Sequence, residues 1–158
     1  MELPPAVARF VDAAAAVGIE VKPVIYPDGT KTAADAAAAI GCPVGAIVKS
    51  LVFVADHGPL LVLMSGDHRV DPAKLAQAGG TTAVRRATLE EAREYTGYAA
   101  GGTPPVGHPE PLPVLADTTL RRYDPVWAAA GTPSSVFAVG LEHLVSAAGA
   151  RWVDVAER

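Results

Sequence analysis

One stretch constrains this chain more than any other, because it places a single lysine inside a run of apolar residues. Residues 45–54 read GAIVKSLVFV, and this β-branched and aromatic content is typical of a strand that is covered on both faces. Lys49 lies near the middle of the run. An unpaired ammonium is strongly disfavoured in an apolar interior. The sequence therefore predicts a pocket that receives Lys49.

The alternation of a strand gives this prediction a direction. Successive side chains point to opposite faces, so Lys49 should share a face with the apolar side chains at 47, 51 and 53, and Ser50 should lie on the other. The alternative is that Lys49 lies close to the start of the strand and extends into solvent, as lysines at strand ends often do. The pattern alone leaves both open.

The composition predicts one globular domain over residues 1–158. The chain is half hydrophobic and 19% charged, and its length allows a sizeable core. Cys42 is the sole cysteine, which favours a reducing compartment. The first residues resemble no signal peptide, and no apolar run approaches the ~20 residues that span a membrane. We expect a soluble cytoplasmic protein without a membrane partner.

The net charge of −4 argues against a broad basic face that grips duplex nucleic acid, although contact with one end of a nucleic acid remains open. The cations are grouped locally, and taken alone such groups are typical of solvated surface. They are Arg85-Arg86, Arg121-Arg122, and His68-Arg69 followed by Lys74.

The elements expected along the chain mix helices and strands irregularly, with many connections short enough for hairpins. Helices are predicted after Pro5, over 33–40, after Asp71, over 89–96 and over 141–148, and strands over 19–25, 45–54, 60–64, 82–84, 113–117, 125–130, 135–139 and 152–155. This order favours a single compact α+β domain over a doubly wound α/β sheet. We expect a mixed, mostly antiparallel or barrel-like sheet flanked by short helices.

A second motif lies in mid-domain, where residues 97–107 read GYAAGGTPPVG. The segment is too rich in Gly and Pro for a helix or a strand. Backbone N–H groups in such loops lack ladder partners and bind anions or polar ligands. A plain connector is the alternative.

Familiar catalytic motifs are missing from the sequence. It has no dinucleotide-binding or P-loop glycine pattern and no G-x-S-x-G elbow. The four histidines are far apart and show no zinc-ligand spacing. We therefore predict neither a cofactor nor a metal, and the residues alone lead only to a lysine-bearing pocket beside a Gly/Pro loop.

Five features, taken in order, resemble the YbaK/prolyl-tRNA-editing family of freestanding aminoacyl-tRNA deacylases, which is related to the insertion domain of bacterial prolyl-tRNA synthetases. They are Tyr26, TAADAAAAIG at 32–41, IVKSLVF at 47–53, TGYAAGGTPPVG at 96–107 and a strand ending at Asp117. The resemblance extends over roughly residues 19–155. Its most specific parts are the segment at 47–53 that contains Lys49 (the lysine strand) and the Gly/Pro segment at 96–107 (the glycine loop).

The resemblance implies hydrolysis of the ester that joins a wrong small amino acid, of the Cys, Ala, Ser or Thr type, to the 3′-terminal adenosine of a tRNA. It implies that Lys49 is catalytic. The substrate-binding residues that it implies are Tyr26, Ser50, Gly101, Gly102, Thr103, Pro104, Gly107 and Asp117. The expected partner is the acceptor end of tRNA, bound weakly and salt-sensitively. Docking on an aminoacyl-tRNA synthetase is left open.

In the mechanism this implies, backbone N–H groups of the loop stabilise the developing oxyanion. Lys49 acts as a point charge on the terminal phosphate or ribose, or assists proton transfer if burial lowers its pKa; we favour the first. Candidates for a phosphate-binding rim are Arg85, Arg86, Arg121 and Arg122. Two other functions stay open, namely a non-catalytic nucleotide- or partner-binding module and a small-molecule esterase.

Overall fold

The computed structural model describes residues 2–30 and 32–158. Its helices are α1 (Pro5–Ala16), α2 (Ala33–Ile40), α3 (Pro72–Ala78), α4 (Leu89–Thr96) and α5 (Leu141–Ala148), and short 3-10 turns cover Val44–Ala46 and Thr118–Arg122. Its strands are β1 (Val24–Ile25), β2 (Ile47–Ala55), β3 (Gly58–Ser65), β4 (Val84–Arg86), β5 (Val114–Asp117), β6 (Val126–Ala129), β7 (Ser135–Val139) and β8 (Arg151–Val153).

The strands form one mixed sheet in the order β1-β7-β6-β2-β3-β5-β8, and β4 also pairs with β2. Four pairings are antiparallel, including the long β2–β3 hairpin. The pairings β2–β6, β3–β5 and β5–β8 are parallel. The predicted α+β fold with a mixed sheet and flanking helices is confirmed.

The core divides along the two faces of the central hairpin, as the alternation of β2 predicts. Val48 and Val52 pack on one side with Phe10 of α1 and Leu144 of α5. Phe53 and its neighbours on β3 pack on the other side with Leu75 of α3. A third, smaller cluster joins Ile47 to the small alanines of α2. The helix α2 therefore lies over the start of β2, close to Lys49.

Local sequence signals fix most element ends. The Thr88 hydroxyl accepts a hydrogen bond from the N–H of Glu91, the Glu91 carboxylate accepts one from the N–H of Thr88, and Gly97 ends the helix at φ 81°. At the start of α2 the Thr32 hydroxyl accepts from the N–H of Asp35, and at the start of α3 the Asp71 carboxylate accepts from the N–H groups of Ala73 and Lys74. These predicted helix starts are confirmed, and each stabilises its helix by about 1 kcal/mol.

Strands at the margins were harder to place. The strand expected over 19–25 shrinks to Val24–Ile25, because only these residues pair with β7. The short strand expected at 82–84 lies at Val84–Arg86, and the last strand lies at Arg151–Val153 rather than 152–155. Such segments acquire strand structure from a partner and not from their own propensity.

The packing of α1 yields the first prediction. Phe10 is fully buried, and its ring centroid lies 5.1 Å from that of Phe137. Phe10→Ala should lower the free energy of unfolding by about 3–5 kcal/mol, measured by urea denaturation. Leu89→Ala is the control, since Leu89 is 76% exposed, and it should change stability by less than about 0.5 kcal/mol. Equal effects of the two changes would contradict this core assignment.

Candidate active site

A cavity of about 470 Å³ lies beside the middle of β2. Its walls come from the start of α2, from residues 47–51 of β2, from residues 127–129 of β6, and from Gly101 and Thr103 of the glycine loop. The motif lysine and part of the motif loop are thus brought together at one cavity, although more than 50 residues separate them in the sequence. The meeting agrees with the lysine-bearing pocket beside a Gly/Pro loop that the residues predict, and with the resemblance.

The cavity opens where one edge of β2 has no strand beside it. Along one edge β2 pairs with β3 over its full length. Along the other, β6 pairs with Ile47 and Val48, and β4 pairs with Phe53–Ala55. Within the described residues no strand pairs with 49–51 on this second edge. The gap gives a ligand access to both Lys49 and the main chain of β2.

The ammonium of Lys49 is held in place by a backbone carbonyl. Its Nζ donates a hydrogen bond of 2.6 Å to the carbonyl oxygen of His68, and the side chain is half-buried on the cavity wall. Burial lowers the pKa of Lys49, and the nearby Arg69 and Arg86 lower it further, whereas Asp67 opposes them. This geometry favours the pocket interpretation of Lys49 over a lysine that merely extends into solvent.

Ser50 follows Lys49 on the opposite face of β2. The residue borders the cavity, and its Oγ is buried without a hydrogen-bond partner among the described residues. A buried hydroxyl without a partner loses about 1–3 kcal/mol of hydration that nothing replaces. This position is consistent with the substrate-binding role that the resemblance implies, and that role stays a prediction.

The glycine loop is pressed against the segment between β6 and β7. A Cβ atom on Gly102 would lie 2.7 Å from both the Cα and the carbonyl carbon of Thr132, so only glycine allows this approach. Gly101 has φ 86°, and the Thr103 hydroxyl donates to the carbonyl of Ala99 at 3.2 Å. No hydrogen bond joins the amide N–H of Gly101 or Thr103 to another described residue. Both residues line the cavity, so their amide N–H groups are available to donate hydrogen bonds to a ligand.

The remaining residues of the implied set do not line the cavity. Gly107 lies against α1, where an added Cβ would be 3.0 Å from that of Ala13. The carbonyl of Pro104 contacts a ring nitrogen of His108 at 2.8 Å, and burial lowers the pKa of that histidine. Tyr26 begins a turn, and its N–H donates to the carbonyl of Ser134 at 2.7 Å.

Asp117 is fully buried and binds main chain. One carboxylate oxygen accepts from the N–H of Val155 at 2.8 Å, and the other accepts from the N–H of Thr119 at 3.0 Å and from the Thr119 hydroxyl. Any part that it plays in the reaction must therefore act through its neighbours.

The four arginines proposed for a rim divide according to their partners. Arg85 makes a two-point contact with Glu91 at 2.7 and 2.9 Å, and Arg122 contacts Asp67 at 2.7 Å. Arg121 lies over the ring of Trp152. Arg86 is exposed over the ring of Phe53, and no carboxylate of the described residues pairs with it. Arg121 and Arg86 are thus both available to an anion, and Arg86 also lies close enough to Lys49 to lower its pKa, so of the four it is the best placed to meet an anion at the cavity.

Sequence reasoning missed a polar cluster next to Lys49, made of Ser65, Asp67, His68 and Arg122 (the Asp67 cluster). The carboxylate of Asp67 accepts from the other three, and the contact with Arg122 holds its pKa well below the usual range. The residues lie as far as 57 positions apart. No local pattern could have joined them, although Asp67 and His68 lie two and three residues after the end of β3.

Two negative findings concern the described residues alone. None of their helices combines the length and apolarity needed to cross a membrane. No three His, Cys, Asp or Glu side chains among them are gathered as a metal site would require.

Comparison with known proteins places the sequence and fold of this chain among editing proteins. The model of the aminoacyl-tRNA editing domain matches residues 27–147. A solved structure of a candidate trans-editing enzyme for prolyl-tRNA synthetase superimposes with a TM-score of 0.94 at 44% identity, over 99% of this chain and 100% of that one. A candidate Cys-tRNA(Pro)/Cys-tRNA(Cys) deacylase of Enterococcus faecalis is 26% identical over 78% of this chain and 76% of its own.

The longer relatives are synthetases. The proline–tRNA ligase of Levilactobacillus brevis is 36% identical over 93 residues, which are 59% of this chain. The match spans only 16% of that ligase's length.

The burial of the Lys49 ammonium predicts how replacing this lysine changes the thermal stability of the protein at different pH values. Because burial lowers the pKa of Lys49, the folded state binds its proton less well than the unfolded state. The resulting penalty is present below the folded-state pKa and disappears as the pH rises past the ordinary value for lysine. Lys49→Met should therefore melt at or above the wild-type temperature at neutral pH, and the difference should shrink at high pH. A large loss of stability would indicate a structural lysine.

Proposed function

The chain belongs to the aminoacyl-tRNA editing domain family, and on that premise we propose that it hydrolyses the ester joining a wrongly attached small amino acid to the 3′-terminal adenosine of tRNA. The observation that carries the proposal is the meeting of Lys49 with Gly101 and Thr103 at one cavity. The relatives supply the reaction class, and the cavity supplies groups that suit it.

Modest catalysis is sufficient for this reaction, because an aminoacyl ester is already an activated bond. Water adds to the ester carbonyl, the bond to the ribose oxygen breaks, and the proton released by the water ends on that oxygen. The products are the free amino acid and a tRNA with its terminal hydroxyl restored. The proton acceptor in the first step is a second water, the neighbouring ribose hydroxyl or the side chain of the substrate.

The loop and the lysine then have separate tasks. The amide N–H groups of Gly101 and Thr103 suit the oxyanion that develops on the carbonyl oxygen, since donors fixed before the reaction stabilise such charge most effectively. The ammonium of Lys49 suits the terminal phosphate or a ribose oxygen as a point charge. Burial lowers the pKa of Lys49, which favours proton transfer, whereas its hydrogen bond to the His68 carbonyl stabilises the charged form. We propose the positioning task because that bond fixes the ammonium at the cavity wall.

The size of the cavity and its walls bear on the amino acid. Small alanines and threonines of α2 and its N-terminal turn line one side. Small walls leave space and do not by themselves restrict the aminoacyl group; the support for a small one is the relative that is a candidate Cys-tRNA(Pro)/Cys-tRNA(Cys) deacylase. An apolar pocket discriminates poorly between residues that differ by one methylene. We infer a preference for the Cys, Ala, Ser or Thr class without selecting among its members.

The central test is deacylation of tRNAs mischarged with Ala, Cys, Ser or Thr. Wild-type protein should release at least one of them, and Lys49→Ala should slow that release by about 100-fold or more, the usual effect of losing a charge-stabilising group. Lys74→Ala is the matched control, since Lys74 also donates to a backbone carbonyl, that of Ala156 at 2.9 Å; it should keep near wild-type rates.

Several results would count against this proposal. Release that does not depend on Lys49 would remove the lysine from the mechanism. Folded wild-type protein that releases none of the four amino acids, yet binds a nucleotide or tRNA end, would favour a non-catalytic module. Equal activity on simple aminoacyl esters and on charged tRNA would favour a small-molecule esterase.

A separate prediction concerns the contact of Arg86 with tRNA. Arg86→Gln should raise KM for charged tRNA and reduce the slope of log KM against log salt concentration by about 0.7–0.9, the loss of one phosphate contact. Hydrolysis of an aminoacyl-adenosine without further phosphates should be unchanged. Arg151→Gln is the control, because Arg151 is exposed on β8, at the far end of the sheet order from β6 and β7. An unchanged salt slope for Arg86→Gln would exclude this contact.

A further inference from the structure

The Asp67 cluster adjoins Lys49, because the carbonyl of its member His68 accepts the hydrogen bond from the lysine ammonium. Asp67 accepts hydrogen bonds from Nη2 of Arg122 at 2.7 Å and from Nη1 at 3.1 Å. The Ser65 hydroxyl lies 2.9 Å from it and shares its single proton between this carboxylate and the carbonyl of Gly45. Nδ1 of His68 lies 2.6 Å from Asp67. A two-point contact between a guanidinium and a carboxylate fixes orientation as well as distance. The side chain of Asp67 is therefore fixed from three directions.

The cluster fixes the backbone that holds Lys49. The turn after β3 carries Asp67, and the next residue supplies the carbonyl that accepts from Lys49 Nζ at 2.6 Å. The N–H of His68 donates back to the carbonyl of Ser65, and that of Gly66 donates to Ile47 on β2. Any movement of the Asp67 side chain would be passed through one peptide unit to the carbonyl that orients the ammonium.

The other end of the cluster is anchored in the core. Nε of Arg122 donates to the carbonyl of Thr119 at 2.8 Å, and Thr119 is bound by the carboxylate of Asp117, which is fully buried. A continuous chain of contacts thus runs from Asp117 through Thr119 and Arg122 to Asp67. This chain gives Asp117 a connection to the site, although it does not line the cavity.

Close packing restricts the cluster on one side, while the side chains of Asp67 and Arg122 are 34% and 41% exposed on the other. Gly45 lies against it, and a Cβ there would be 2.8 Å from Oδ2 of Asp67 and 3.0 Å from Nη2 of Arg122. The carbonyl of Gly45 also accepts from the Ser65 hydroxyl at 2.6 Å. Positioning groups are most effective when their own side chains are locked by packing and by a second layer of hydrogen bonds.

We propose that Asp67 and Arg122 are positioning residues for Lys49, holding the His68 carbonyl so that the ammonium points into the cavity. The kinetic consequence rests on the deacylase function proposed above, whereas the structural claim does not. Charge acts in the same direction, because Asp67 favours the ammonium form against the influence of Arg69 and Arg86. Neither positioning residue needs to touch the substrate.

The test compares two amide substitutions that each remove one carboxylate from an arginine pair. Asp67→Asn disrupts the cluster, whereas Glu91→Gln disrupts the Arg85 pair on β4 and α4. Asp67→Asn should lower kcat for deacylation about tenfold or more, the scale expected when a reacting group is misplaced by a fraction of an ångström, with KM changed less than threefold. Glu91→Gln should leave kcat near the wild-type value. Arg122→Lys should retain more activity than Arg122→Ala, since it keeps the charge.

A second measurement needs no tRNA, namely the NMR titration of the Lys49 side chain followed at Cε, with Lys49→Arg to assign the signal. Asp67→Asn should move this titration to lower pH, because the negative charge that favours the ammonium is gone, and Glu91→Gln should leave it in place. This shift reports the charge of Asp67 acting on Lys49, whereas the change in kcat reports the position of the ammonium.

The outcomes separate this inference from the proposed function. If folded Asp67→Asn keeps either the wild-type kcat or the wild-type Lys49 titration, the positioning role is overturned. If Asp67→Asn does not fold, Arg122→Lys and Arg122→Ala are compared by the same two measurements, and equal values overturn it. If wild-type protein deacylates no tRNA, the proposed function fails, and the titration alone decides whether the Asp67 cluster controls Lys49.

Discussion

The structure depends on how three strands share the two edges of β2. The hairpin with β3 occupies one edge completely, whereas β6 and β4 each take a short part of the other and leave residues 49–51 between them. The sheet is thereby continuous enough to support a core on both faces, yet it is interrupted where the lysine lies. A complete ladder at this edge would close the opening. The fold thus creates its candidate site by leaving out strand pairing, and not by adding an insertion.

The lysine is tolerated in this strand because its ammonium donates a hydrogen bond to a polar group. A buried ammonium without a partner would be strongly disfavoured, but the His68 carbonyl accepts from it, and Asp67 supplies an opposite charge nearby. The polar groups behind Lys49 in turn reach the buried Asp117 through Thr119 and Arg122. The buried Asp117 and the candidate site residue Lys49 therefore belong to one connected network of hydrogen bonds.

Much of the fold could be read from the sequence, because its signals are local. Caps at Thr32, Asp71 and Thr88 fixed helix starts, and the apolar alternation of β2 fixed its two faces. The short strands at 24–25 and 84–86 could not be placed precisely, since pairing partners define them. Of the site, Lys49 and the loop were predictable as motifs. The Asp67 cluster was not, because Arg122 reaches Asp67 across 55 positions of sequence.

The contact between Gly102 and Thr132 has a consequence for how such a site changes over evolution. Two backbones touch there without an intervening side chain, so the place of the loop amides is set by main-chain geometry. Neighbouring wall positions, such as Ala33 and Val136, are free of that constraint. Substitutions at these positions would reshape the space for the amino acid while the amides stay where they are. Under the proposed function, selectivity and chemistry would be encoded at separate positions, and a lineage of such proteins could exchange one substrate for another without rebuilding the groups proposed for catalysis.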